Sequence, residues 1–140
     1  IKVPAIQIEK DPVRYAMEAA SHFKVTVLLK GNETVVANGH RVIQLPSAPS
    51  WLATAGTGDV LAGILGALLA LNHQNANHEN LIEIGATASF LHAKAAEGSS
   101  EGPLNLNHVI DRIARFKCLK YKSKIKKKRK QRNIVVTQCN

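Results

Sequence analysis

Apolar residues recur along the chain with two periods, and the changes of period mark the elements. Val13, Ala16, Met17, Ala20 and Phe23 lie three or four residues apart, the spacing that gathers side chains on one face of a helix. Asp11 and Pro12 stand before them as an N-cap and a first helical position, so a helix is predicted from Asp11 to near His22. Val25-Thr26-Val27-Leu28-Leu29 is then a β-rich run closed by Lys30-Gly31, which reads as a strand buried on both faces. Thr34 to Ala37 and Arg41 to Leu45 flank Asn38-Gly39, a turn dipeptide, and are expected to pair as a hairpin. Pro46 and Pro49 bracket a loop. The longest apolar run follows, Val60 to Leu71, and predicts a helix from about Thr57 to Leu71. At 12 residues the run is too short to cross a bilayer, so it reads as a buried core helix. Beyond the polar connection Asn72 to Asn80, Leu81, Ile84, Ala88, Leu91 and Ala95 recur at helical spacing and predict a second long helix beside the first. Gly98 to Pro103 end it. Leu106, Val109, Ile110 and Ile113 suggest a short third helix capped by Asn107, and no internal repeat is visible.

Length and charge refine this picture. A chain of 140 residues supports one domain or a large piece of one. The formal net charge of +9 is not spread evenly: residues 1–116 hold 9 Lys or Arg against 10 Asp or Glu, and the other 10 basic residues lie between Lys117 and Arg132. The basicity therefore belongs to a tail, residues 117–140, whose composition predicts a disordered, solvated segment. The opening IKVPAIQIEKDP has no basic region followed by an apolar one, so a cytoplasmic location is expected. Cys118 and Cys139 both lie in the tail, where a structural disulfide is not expected and a metal site would need further ligands.

The chemistry concentrates where the Pro-bracketed loop meets the long helix, at Gly56-Thr57-Gly58-Asp59. The first turn of a helix has N–H groups without intrahelical acceptors, at the positive end of its dipole, and so attracts an anion. Gly56 and Gly58 let backbone approach phosphoryl oxygens, while Thr57 offers a hydroxyl and an N–H. Asp59 would repel such an anion, which suits a different role: taking a proton from a hydroxyl that attacks phosphorus, or holding the substrate that carries it. A capped turn, with Asp59 only complementing the dipole, is the alternative.

Taken in order, the strand ending Leu28-Leu29-Lys30-Gly31 with Thr34 soon after, the hairpin, and the run Ala53 to Gly63, ATAGTGDVLAG, resemble the C-terminal half of the ribokinase-like fold. They are most similar to the bacterial ADP-dependent (S)-NAD(P)H-hydrate dehydratases of that superfamily. The resemblance extends from about Asp11 to Ile113, with echoes in Phe90-Leu91-His92-Ala93 and Gly102-Pro103-Leu104. It implies an α/β, three-layer fold with helices packed on a mainly parallel sheet that carries a hairpin, residues 1–116 forming the C-terminal part of the domain. It implies a hydro-lyase that dehydrates (S)-NAD(P)H hydrate to NAD(P)H with release of AMP and phosphate. The terminal phosphate of ADP would turn the ring hydroxyl into a better leaving group, with Mg2+ bridging the phosphates and few direct protein ligands. Lys30, Gly31, Asn32, Glu33, Thr34 and Gly58 would lie along the nucleotide. Gly56, Thr57 and Gly58 would form the anion hole, and Asp59 would meet the substrate as the catalytic base. Expected partners are these small molecules and further copies of the chain, with no membrane and no nucleic acid.

Two departures stand beside the match. The family's upstream half, with its substrate-holding groups, precedes the region where this sequence starts, and Ala48-Pro49-Ser50-Trp51 stands where the family has Asn-Pro-Gly-Met. A small-molecule kinase of the same fold is the alternative enzyme, since the glycine turn and aspartate are shared. An inactive fragment, or a nucleic-acid-binding module acting through the tail, is the alternative from another class. Trp51 reads equally as a base-stacking or a loop-packing residue. His92, on the apolar face of a helix, reads as a core histidine and is left out of the site. The other histidines show no metal-ligand spacing.

Overall fold

Asp11 starts the first long helix as its sequence predicts. The computed structural model describes residues 3–75, 77–97, 105–115 and 136–138. In it the Arg14 N–H donates to Asp11 Oδ1 at 3.1 Å, and Pro12 opens helix α2, Pro12–Phe23. The helix stops at Lys24, which takes left-handed dihedrals (φ 56°, ψ 42°). Ala16 and Ala20 are its buried residues, packed with Val13 and Met17 against the sheet. A short helix, α1 (Ala5–Lys10), precedes it with no buried residue, and the apolar pattern had not marked it.

The sheet contains β1 (Val27–Leu29), β2 (Val35–Ala37), β3 (Arg41–Gln44) and β4 (Val136–Gln138), in the order β1-β2-β3-β4. All three pairings are antiparallel, so among the described residues the expected mainly parallel sheet is not found. The reason is connection length: only residues 30–34 separate β1 from β2, and 38–40 separate β2 from β3, whereas a parallel pair needs a crossover of about a dozen residues. Val35 and Ala37 face α2, and Val36 faces the opposite side, against Ile82 and Ala86. Helices thus cover both faces of β2, which gives the three layers. β1 is half-buried, not fully buried, because it ends the sheet and its outer edge meets no described strand.

The β2–β3 turn is held by Asn38, whose Oδ1 accepts the N–H groups of His40 (3.1 Å) and Arg41 (2.8 Å). Gly39 has φ +87°, and a Cβ there would stand 3.0 Å from Ser21 Oγ. Gly39→Ala is therefore expected to destabilise the chain by about 1–2 kcal/mol, the cost of a left-handed L-residue, read as a lower urea midpoint with an unchanged slope.

Helices α3 (Thr57–Leu71) and α4 (His78–Ala96) lie side by side through Leu61, Ile64 and Leu68 of the first and Ala88 and Leu91 of the second. Asn77 caps α4, its Oδ1 accepting the Asn80 N–H at 2.9 Å. The expectation of a fully buried α3 holds for one face only: Ala62, Gly63, Gly66 and Ala67 are exposed, as is Leu71 at 74%. Apolarity all round a helix marks what it is able to bury, and the described residues cover one side. Helix α5 (Leu106–Arg115) closes the end of α4 with Val109, which is buried with Leu52, Ala95 and Ala96. Its start is capped by Asn105, whose Oδ1 accepts the Asn107 N–H at 3.0 Å, so the cap lies two residues before the one expected. No described helix is long and apolar enough to cross a membrane. Of the tail expected to be disordered, Val136–Gln138 pair with β3 as β4. The other tail residues, Cys118 and Cys139 among them, lie outside the described residues.

Candidate functional site

Two loops, helix α4 and Leu61 of α3 line a cavity of about 520 Å³. The β1–β2 loop contributes Lys30, Gly31, Asn32 and Thr34. The segment Leu45–Ala53 contributes a second wall except at Trp51, and α4 contributes Ser89, Phe90, His92, Ala93 and Lys94. The walls are tied together by backbone: the Leu45 N–H donates to Thr34 O at 2.9 Å and the Ala48 N–H to Asn32 O at 3.0 Å. Thr34 is buried, which fixes the loop end, while Lys30, Gly31 and Asn32 are exposed along the cavity.

Thr57 joins this cavity to the glycine turn. Its hydroxyl lies 2.8 Å from both Leu52 O and Thr54 O, to which it donates, and it accepts from Lys30 Nζ at 3.3 Å. The contact draws a lysine ammonium from the end of β1 to the N-terminus of α3. Gly56 is the N-cap, left-handed at φ 85°, and no side chain caps the helix. The Thr57 N–H donates to Thr54 O at 3.3 Å and the Val60 N–H to Gly56 O at 3.2 Å, so the N–H groups of Gly58 and Asp59 are left for another acceptor, beside a positive charge, where an anion is favoured. The left-handed φ is what requires glycine at Gly56; a Cβ there would also stand 2.7 Å from Leu106 Cδ1, the end of a side chain that is able to turn aside. Gly58 is different. It is helical, and its value lies in open space: a Cβ would stand 3.9 Å from Lys30 Nζ, in the gap between the ammonium and the helix.

Of the residues singled out in the sequence, the structure gathers Lys30, Gly31, Asn32 and Thr34 on the cavity wall; Gly56, Thr57 and Gly58 are not on it, and Thr57 and Gly58 adjoin it through Lys30 Nζ. Glu33 is not on the wall. Its carboxylate accepts from Gln44 Nε2 and from Ser47 Oγ, the latter at 3.4 Å, and so braces the loop against the strand beyond β2. Asp59 is exposed at the third position of α3 and likewise does not line the cavity; it has no hydrogen bond or ion pair among the described residues. Trp51 is 43% exposed and, unlike its neighbours Ser50 and Leu52, does not line the cavity.

His92 is the site residue that the sequence reading passed over. It is 3% exposed, lines the cavity, and its Nε2 has no hydrogen-bond partner. Burial pushes its pKa below the ordinary histidine value, the nearby Lys30 charge adds to this, and a hydrogen bond with the Thr57 backbone opposes both. The folded chain therefore binds a proton at His92 less readily than the unfolded chain. The resulting stability is fully present above the unfolded value of about 6.5 and is lost as pH falls through the lower folded value. The thermal midpoint is expected to decline on acidification through this range, and His92→Gln to flatten that slope.

Magnesium finds no protein-built site: among the described residues no three of His, Cys, Asp and Glu come together. Asp59 is the only carboxylate in the first turn of α3, and one exposed carboxylate does not form a cage for the ion.

The family model of the NAD(P)H-hydrate dehydratases matches residues 2–115. A bifunctional NAD(P)H-hydrate repair enzyme of Mycobacterium leprae is 47% identical over 94 residues, 66% of this chain and 19% of that protein. The ADP-dependent (S)-NAD(P)H-hydrate dehydratase of Bacillus subtilis is 34% identical over 96 residues, 68% of this chain and 33% of that protein. A solved structure of the ADP/ATP-dependent NAD(P)H-hydrate dehydratase from Bacillus subtilis, co-crystallised with ATP/Mg2+, superposes with a TM-score of 0.68. Its identity is 27%, with 81% of this chain and 40% of that chain covered. The chain thus spans about a fifth to a third of these curated relatives and about two fifths of the solved structure.

Proposed function

The chain belongs to the NAD(P)H-hydrate dehydratase family, and from that premise we propose that it supplies the nucleotide-binding and proton-accepting part of an ADP-dependent (S)-NAD(P)H-hydrate dehydratase. The observation that carries this reading is the 3.3 Å contact between Lys30 Nζ and Thr57 Oγ1. It puts the one cation of the β1–β2 loop beside the uncapped N-terminus of α3, so that the ammonium and the helix N–H groups converge on one anion. Phosphates of ADP in the cavity would reach this point, and the missing Cβ of Gly58 leaves them room.

In the chemistry that follows, Asp59 takes the proton of the ring hydroxyl, whose oxygen attacks the terminal phosphorus of ADP. The new O–P bond forms as the bond to AMP breaks, and the Gly58 N–H with the Lys30 ammonium stabilises the charge on the transferring group. Elimination then breaks the ring C–O bond. Phosphate leaves with the electron pair, a ring proton is lost, and the double bond of the dihydronicotinamide is restored. The reading draws on the family match for the substrate, since nothing on the cavity wall selects a nicotinamide ring.

The test is dehydration of NADH hydrate by the chain with ADP and magnesium, followed by the near-ultraviolet absorbance of reformed NADH. ADP-dependent turnover supports the reading. A folded chain that binds ADP without turnover limits it to nucleotide binding, and one that does neither overturns it. Lys30→Met is expected to weaken ADP binding by about 10- to 100-fold, the worth of a hydrogen bond to a charged group, as measured by calorimetry. An unchanged affinity would remove Lys30 from the site.

A further inference from the structure

We propose that Glu33 is a positioning residue of the cavity: through Ser47 it fixes which end of the Asn32 carboxamide is left for the nucleotide, so that Asn32 offers an oxygen to the exocyclic amino group of adenine. The proposal rests on the reading of the cavity as the ADP site. The backbone frame comes first. The Leu45 N–H donates to Thr34 O at 2.9 Å and the Ala48 N–H to Asn32 O at 3.0 Å. Asn32 and Ser47, which line the cavity from different loops, are thereby held within reach of each other. Their side chains meet: Asn32 Nδ2 donates to Ser47 Oγ at 3.4 Å, and Ser47 Oγ donates to Glu33 Oε1 at 3.4 Å. The other carboxylate oxygen, Oε2, accepts from Gln44 Nε2, at the end of β3 where Gln44 pairs with Val35.

Direction in this relay is imposed from one end. A carboxylate accepts and does not donate, a hydroxyl has a single hydrogen, and an amide has one donating and one accepting end. Glu33 therefore takes the Ser47 hydrogen, the Ser47 lone pairs remain for a donor, and Asn32 has to turn its nitrogen to Ser47. Asn32 Oδ1 is the acceptor left for a ligand. The Glu33 carboxylate itself stays off the cavity wall, where its charge would repel phosphate. A fixed direction gains nothing from a ribose hydroxyl, which both donates and accepts and so takes either end of an amide. It discriminates for a group that only donates, as the amino group of adenine does, against the carbonyl oxygen that hypoxanthine carries in the same place.

The experiment is calorimetry of the whole chain with ADP, inosine diphosphate, dideoxy-ADP lacking both ribose hydroxyls, and pyrophosphate, beside thermal unfolding. The unmodified chain is expected to bind inosine diphosphate about tenfold more weakly than ADP, the value of one hydrogen bond lost to two opposed acceptors. Glu33→Gln reaches as far but is able to present an N–H to Ser47, which lets the relay reverse. It is expected to bring the two nucleotides within about threefold of each other, with thermal midpoint and pyrophosphate affinity unchanged. Ser47→Ala frees Asn32 to turn and is expected to level the two nucleotides likewise. A brace with no part in recognition would show the reverse: a lowered midpoint in both variants and the preference for ADP kept. That result overturns the proposal, as does an unmodified chain that binds ADP and inosine diphosphate alike, or one that loses affinity only for the dideoxy nucleotide. In these cases pyrophosphate binding still supports the phosphate site at α3. A chain that binds neither pyrophosphate nor ADP overturns both readings.

Discussion

Asp59→Asn, made in a protein that contains the whole fold, is expected to lower kcat by about 10²- to 10⁴-fold, the range of a positioned general base, while ADP affinity stays within about threefold. The separation follows from placement. Asp59 is exposed, off the cavity wall, and without a partner among the described residues, so its removal disturbs no contact that holds the nucleotide. A carboxylate beside an anion site repels the anion, and neutralising it leaves affinity unchanged or improved. The same variant decides between the two roles that the sequence leaves open. A carboxylate that only complements the α3 dipole is worth about 0.3–1 kcal/mol of stability, and its loss would lower the thermal midpoint with turnover intact. Steady-state kinetics beside thermal unfolding separate the two. Equal falls in turnover and in ADP affinity would end the assignment of Asp59 as the base.

Gly56→Ala is expected to cost about 2 kcal/mol of stability and, in the same protein, to weaken ADP binding more than tenfold. Two effects add. The left-handed φ of 85° is strained for any residue with a Cβ, and the new methyl would lie 2.7 Å from Leu106 Cδ1. The leucine methyl is the far end of a flexible side chain and is able to turn aside, so the backbone strain is the larger part. Relief of that strain rotates the cap of α3 and with it the N–H groups of Gly58 and Asp59. Binding is thus expected to fall further than stability alone explains. A double-mutant cycle with Leu106→Ala apportions the terms: the contact is relieved in the double variant and the strain is not. Full recovery of stability in that variant would show that Leu106, not the dihedral, makes the glycine necessary.

These expectations rest on features of unequal visibility. The start of α2 was legible because Asp11 and Pro12 act within one turn, and the hairpin was legible because Asn38-Gly39 encodes its own reversal. Lys30 and Thr34 were legible only by resemblance. Lys30 makes a contact across 27 residues to Thr57, and no local pattern records that distance. The sheet expected to be mainly parallel pairs antiparallel because the loops inside this chain are short. Glu33 looked like its neighbours in the same loop, yet its carboxylate turns to Gln44 and Ser47. His92 was passed over because a histidine on an apolar helical face is usually a core residue. Only a signal for which helix face meets the glycine turn would have found it.

By itself, then, the sequence determined what is local: where backbone must turn, where a helix begins, which faces are apolar, and that a glycine-rich turn with one carboxylate opens a long helix. The tertiary structure alone decided which side of α3 is covered, which strands pair, and which of several polar residues come together at the start of α3. The division has a physical cause. Capping, turn dihedrals and periodicity act between residues a few positions apart and leave their mark in composition. Convergence of Lys30 and Thr57 depends on the packing of α3 and α4 against the sheet, where each side chain's partner is set by the sum of many individually weak contacts.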